Sequence, residues 1–102
     1  MQTETAADSK GEPSAEALEA MRRQVQRLVY LAAGGKIAGA ELARYDADLR
    51  QLGLDSLGYL NLLEGLERTY GVAIDLDREE DHSFLHTIDN LVRYLVARRG
   101  PP

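Results

Sequence analysis

Apolar residues recur along this chain at helical spacing in three separate stretches. In the first, Leu18, Met21, Val25, Leu28, Val29 and Ala32 follow one another at steps of three, four, three, one and three, which lays a continuous stripe along one helix face. Arg22, Arg23 and Arg27 lie off that stripe. Ser14 is placed to cap the helix start, Glu16 and Glu19 suit its positive end, and Gly34-Gly35 stops it. The second pattern predicts a helix from Ser56 to Tyr70, ended by Gly71. Tyr59, Leu62, Leu63, Leu66 and Tyr70 lie within roughly a third of a turn, with Leu60 beside them. The opposite face is predicted to carry Gly58, Asn61, Glu64, Gly65 and Arg68, with Leu57 as an exposed apolar residue among them. The third helix starts after Thr87 as N-cap and runs to about Arg98, with a stripe of Ile88, Leu91, Val92, Leu95 and Val96.

The segments between these stripes are less regular. Residues 34–54 form a long connection, with a helical turn expected around Ala40–Ala43 and with Ile37, Leu42, Leu49, Leu52 and Leu54 as anchors on the core. Val72, Ile74 and Leu76 alternate, but the stretch is too short and too acidic for a sheet, so an extended link and a short helix near Glu80–Leu85 are expected. Residues 1–13 read as a polar, flexible tail, 14–99 as the folded domain and 100–102 as a C-terminal tail. The predicted fold class is all-α, a small four-helix bundle of three main helices and one short one, with a long loop between the first two.

Composition narrows what such a bundle does. A chain of 102 residues makes one domain with a modest core, and with 6% aromatic residues and no Trp that core must be aliphatic. There is no Cys, which excludes disulfides, a thiolate nucleophile and Cys-based zinc sites. The start lacks the basic-then-apolar pattern of a signal peptide, and the longest apolar run, Leu28–Ala33, is far too short to span a bilayer. The expectation is a cytoplasmic protein with no membrane partner. Net charge is −5, and the stretch from Asp55 to Asp81 sets eight acids against Arg68 and Arg78. Such a surface repels nucleic-acid phosphates and suits partners with basic docking faces, although a solvated acidic surface alone reads the same way.

Catalytic chemistry is weakly supported. His82 and His86 stand four apart, but no pattern supplies a third metal ligand, so no metal site is expected. Ser56 is not a hydrolase elbow, because Leu54 stands where the glycine two residues before the nucleophile belongs and no strand precedes it. Gly34-Gly35-Lys36 lacks the spacing of a nucleotide-binding loop. No catalytic residue is assigned. What remains is Asp55-Ser56 at a helix start, where Asp55 can cap the N–H of Leu57 or Gly58 and the Ser56 hydroxyl sits at the positive end of the helix dipole. Taken alone, the pair is ordinary capping.

Its neighbours change that. The run DADLRQLGLDSLGYLNLLEGLERTYGVAIDLD resembles the acyl carrier protein family, in which an LGxDSL segment opens the second helix. Asp48, Leu52-Gly53, Leu60, Leu62, Leu66, Glu67, Tyr70-Gly71-Val72, Ile74 and the run from Thr87 to Leu95 extend the resemblance over about residues 14–99. The resemblance implies a non-catalytic carrier in which a phosphopantetheinyl transferase moves 4′-phosphopantetheine from coenzyme A onto Ser56. Asp55 would shape the acceptor turn, and Leu57, Gly58, Asn61 and Glu64 would belong to the recognition face. Cargo would ride as a thioester on the arm's thiol, which resolves how a chain without Cys can carry one. The implied partners are the transferase, an acyl- or aminoacyl-loading enzyme, and ketosynthase, condensation or tailoring enzymes, with the carrier itself a monomer. Fatty-acid carriers commonly have acids two and five residues after the serine, where this chain has Gly58 and Asn61. That departure points to a stand-alone carrier of polyketide or related natural-product biosynthesis. A peptidyl or aminoacyl carrier of a nonribosomal peptide pathway stays open, although Leu54 stands where such carriers have a second glycine. An unmodified helical interaction module is the alternative of another class.

Overall fold

The computed structural model describes residues 14–78 and 81–99. Within them the chain forms, in order, α1 (Ala15–Ala32), α2 (Gly39–Leu42), α3 (Leu49–Leu52), α4 (Ser56–Tyr70), a single 3-10 turn (Ser83–Leu85) and α5 (Ile88–Arg99). No strand occurs among the described residues. The result is a small helical bundle, as the apolar periodicity requires. The two predicted tails and the Glu80 start of the short helix lie outside the described residues.

The three long helices begin where their capping residues predict. The Ser14 hydroxyl accepts the Ala17 N–H at 3.0 Å, and the Thr87 hydroxyl accepts the Asn90 N–H at 3.0 Å. α4 stops at Gly71, whose φ of 68° a side chain would disfavour and whose N–H bonds the Glu67 carbonyl. α1 packs against both α4 and α5. Met21, Val25 and Val29 meet Leu62 and Leu66 of α4 and Ile88, Leu91 and Leu95 of α5 in one buried cluster. Each such side chain contributes about 1.5–3 kcal/mol relative to exposure, so this aliphatic seam is the main source of stability.

The long connection is better ordered than its sequence suggests. Ile37, Leu42, Leu49 and Leu54 are all buried, while Leu52 is half-buried. The expected turn near Ala40 is α2, but α3 is a second short helix that periodicity did not predict. Asp48 caps it by accepting the Arg50 N–H at 2.9 Å, and Gly53 ends it at φ 118°. The connection is stitched to the start of α5: the Leu49 N–H donates to the His86 carbonyl at 2.8 Å and the Asp89 N–H to the Tyr45 carbonyl at 3.0 Å. Arg22 of α1 joins the same corner through a 2.8 Å bond from Nε to Asp89.

Two expectations for α4 are corrected. Gly58 and Gly65, placed on the polar face, are buried. At Gly65 the missing side chain lets α1 approach, since a Cβ there would lie 3.5 Å from Leu28 Cδ2. At Gly58 the space is taken by Leu54, whose Cδ1 lies 2.6 Å from where a Cβ would be. Leu60, expected beside the packed stripe, is instead 61% exposed.

Candidate functional site: the start of α4 and its flanking clefts

The start of α4 is set by three consecutive residues with different tasks. Gly53 turns the chain out of α3 with a left-handed backbone. Leu54 then drops into the core, its N–H bonded to the Leu49 carbonyl at 3.0 Å. Asp55 follows in extended conformation, and its Oδ1 accepts the Gly58 N–H at 2.8 Å, one of the two bonds that the sequence allowed. Its other oxygen lies 3.5 Å from Lys36 Nζ. The Gly58 N–H first, and the Lys36 charge after it, hold the Asp55 carboxyl below its ordinary range.

Ser56 is therefore the first residue of a helix that is already fixed from behind. It is exposed, and its hydroxyl makes no hydrogen bond among the described residues. Leu57 beside it is 66% exposed, as predicted. Asn61 and Glu64 are also exposed on α4, so the structure brings Asp55, Ser56, Leu57, Asn61 and Glu64 onto one accessible surface. Gly58 does not belong to it. Its burial beneath Leu54 makes it a packing position rather than a contact for a partner.

Two clefts border this surface. One, of about 400 Å³, includes Ser56 and is walled by Tyr59, Leu60, Leu63, Leu76 and Leu85. The Tyr59 hydroxyl donates to the Leu85 carbonyl at 3.1 Å, and burial pushes its phenol up from the ordinary value. The other, of about 630 Å³, runs between α4 and the segment after it, with Leu57, Asn61 and Glu64 on one bank and Asp75 and Asp77 on the other. Glu67 pins that second bank, its Oε2 accepting the Ile74 N–H at 2.7 Å. Lys36 and Arg50 were missed as neighbours of the site; the only local signal for Arg50 was the Asp48 cap and Gly53 stop that bracket α3. His82, considered as a metal ligand, instead bonds the Leu76 carbonyl through Nε2 at 2.9 Å.

The site is thus an exposed helix-opening serine on a small helical bundle, beside a leucine-bearing cleft and an acid-lined one. A family model described as the phosphopantetheine attachment site matches residues 35–95, more than half of the chain. The chain belongs to that family. Neither the curated proteins nor the solved structures give a match. It is a phosphopantetheine carrier protein, and its prosthetic group is covalently held 4′-phosphopantetheine. Carrier domains of this kind are in general substrates of other enzymes, and they work with a phosphopantetheinyl transferase and with loading and tailoring enzymes.

The residues at the start of α4 fit such a group. A phosphodiester there would meet the unpaired N–H groups and positive dipole end of a fifteen-residue helix, with the Lys36 ammonium close by. The exposed hydroxyl leaves room for attachment, and the adjoining cleft offers apolar surface to whatever follows the phosphate.

Proposed function

We propose that Ser56 carries the 4′-phosphopantetheine arm and that the chain is a stand-alone acyl carrier of a polyketide or related natural-product pathway. The observation that carries the first part is the placement of the serines. Within residues 35–95 the sequence has two, Ser56 and Ser83. Ser83 is half-buried in the 3-10 turn, its N–H bonded to Asp81 and its carbonyl to the Asn90 amide. Ser56 is exposed at a helix N-terminus with a hydroxyl that has no partner among the described residues.

The residues then divide the work. Asp55 fixes the helix turn on which Ser56 stands. The serine oxygen bonds to the phosphorus of the phosphopantetheine moiety as the pyrophosphate link of coenzyme A breaks, adenosine 3′,5′-bisphosphate leaves, and the hydroxyl proton passes to the transferase. When bound, the arm supplies the thiol that this Cys-free chain lacks. Leu57 and Leu60 offer apolar contacts to partner enzymes. Gly58 and Asn61 leave α4 with fewer acids than a fatty-acid carrier, and an acid at 58 could enter only by displacing Leu54. The acids stand instead at Glu64 and, across the groove, at Asp75 and Asp77. Partners that fit here carry basic residues spaced to reach both banks, with an apolar side chain between them.

A peptidyl or aminoacyl carrier is the second reading. Leu54 favours the acyl type, because it stands where such carriers have a second glycine and is here a buried plug against Gly58. The cytoplasm is the compartment that suits a thiol-bearing carrier with no disulfide of its own.

Intact mass spectrometry tests the reading. The purified chain is incubated with coenzyme A, magnesium and a broad-specificity phosphopantetheinyl transferase, beside Ser56→Ala and Ser83→Ala. One phosphopantetheine added to the parent and to Ser83→Ala, and none to Ser56→Ala, is the expected result. Addition to Ser56→Ala would overturn the assignment.

A further inference from the structure

The cleft beside Ser56 has a polarity opposite to that of its surroundings. The sequence from Asp55 to Asp81 is dominated by acids, yet among the described residues no carboxylate lines this cleft. Apart from Ser56 and Tyr59, its polar lining is Arg50, His82 and His86.

Two of those groups, Tyr59 and His82, are already engaged. The Tyr59 hydroxyl is held by the Leu85 carbonyl. His82 Nε2 faces a carbonyl, which can only accept, so that nitrogen carries the proton and donates. Arg50 is different. Asp48, the nearest acid in sequence, has turned its Oδ1 onto the Arg50 main-chain N–H at 2.9 Å, and the guanidinium makes no ion pair or hydrogen bond among the described residues. Its charge is felt at the Tyr59 phenol on the cleft wall, where it opposes the effects of burial and of Asp48. A planar cation with five donors and no acceptor therefore borders a space with four leucines in its wall.

We propose that Arg50 determines cargo specificity: the cleft holds a short acyl group whose far end bears a carboxylate, with the chain on the leucines and the carboxylate on the guanidinium. This inference rests on the assignment of the arm to Ser56 and adds the chemical class of the cargo. A volume of about 400 Å³ is near the small end of ligand pockets, which span about 300–1,000 Å³, so the acyl group is short. An unsubstituted chain gains only the apolar wall and is indifferent to Arg50. A carboxylate-ended chain can lie on that wall only where a cation receives its charge, and Arg50 matches carboxylate geometry with two parallel donors.

The test loads the chain, through coenzyme A thioesters and a broad-specificity transferase, with hexanoyl or adipoyl groups, which share six carbons and differ by a terminal carboxylate. Thioester survival against hydroxylamine is followed by intact mass and divided by that of the same thioester on free pantetheine. In the parent, adipoyl should outlast hexanoyl by about two- to fivefold, the range set by an exposed ion pair. Arg50→Met should abolish that difference, and Arg50→Lys should restore part of it. Equal lifetimes in the parent, or a difference that survives in Arg50→Met, would overturn the inference while leaving the Ser56 assignment intact. An equal change in the exposure of the unacylated arm in Arg50→Met would show that the cleft takes the arm rather than its cargo, and would overturn it too. A chain that accepts no arm at Ser56 would bring down both.

Discussion

Two glycines of α4 should answer the same substitution with opposite signs. Replacing an interior helical glycine by alanine gains about 0.8–1 kcal/mol from the backbone alone. At Gly65 nothing opposes that gain, since the new Cβ would meet Leu28 Cδ2 at 3.5 Å, an ordinary contact. Gly65→Ala should therefore stabilise the fold by about 1 kcal/mol. At Gly58 the new Cβ would fall 2.6 Å from Leu54 Cδ1 and 3.3 Å from Asp55 Oδ1, the oxygen that caps the helix. Leu54 is buried against the core and has little room to retreat. Overpacking of this kind costs about 1–3 kcal/mol, which outweighs the backbone gain, so Gly58→Ala should destabilise by about 1 kcal/mol. Urea unfolding followed by far-UV circular dichroism measures both. Leu54→Ala opens the space, and in that background Gly58→Ala should become stabilising, with a coupling of about 2 kcal/mol across the cycle. A Gly58→Ala protein as stable as Gly65→Ala would refute the claim that Leu54 occupies the position.

Other outcomes follow from the caps and the ion pairs. Asp55→Ala should lower the thermal midpoint by a few degrees, whereas Ser56→Ala should leave it unchanged within error, because only the first loses a helix cap; scanning calorimetry separates them. The Asp55 carboxyl titrates lower in the folded chain than its ordinary value of 3.8, so its contribution is complete above that value and fades as pH falls through the folded one. Acid unfolding curves should accordingly converge for the parent and Asp55→Asn once the pH has fallen below the folded-state value, having differed at neutral pH. Arg22→Met should cost about 0.5–1 kcal/mol through the loss of the part-exposed Asp89 bond, and raising the salt concentration should shrink that difference in chemical denaturation.

What the sequence revealed, and what it hid, divides along physical lines. Ser14, Asp55, Thr87 and Gly71 each mark a helix end by a local bond or a backbone preference, and each was legible because its cause lies within a few residues. The stripes of α1 and α5 were legible for the same reason, since a regular repeat declares its buried face. Gly58 and Gly65 were misread because a wheel counts a glycine as polar, whereas a missing side chain also marks where another group closes in. Leu60 sits at the margin of the stripe, between the two clefts that flank α4, and is exposed there. α3 was missed because four residues show no period, and the Arg50 side of the cleft was hidden with it.

The stitching of the 34–54 connection to the start of α5 bears on the order in which the protein becomes competent during synthesis. The main-chain partner of Leu49 is His86, and that of Tyr45 is Asp89, so the platform just ahead of Ser56 is assembled from residues made some forty positions later. A nascent chain that ends soon after α4 carries the serine and the whole LGLDSL signal, but lacks the groups that complete its support. On the proposed assignment of the arm to Ser56, a chain truncated before α5 should therefore be a poorer substrate for modification than the full chain, which places loading of the arm after the fold is finished.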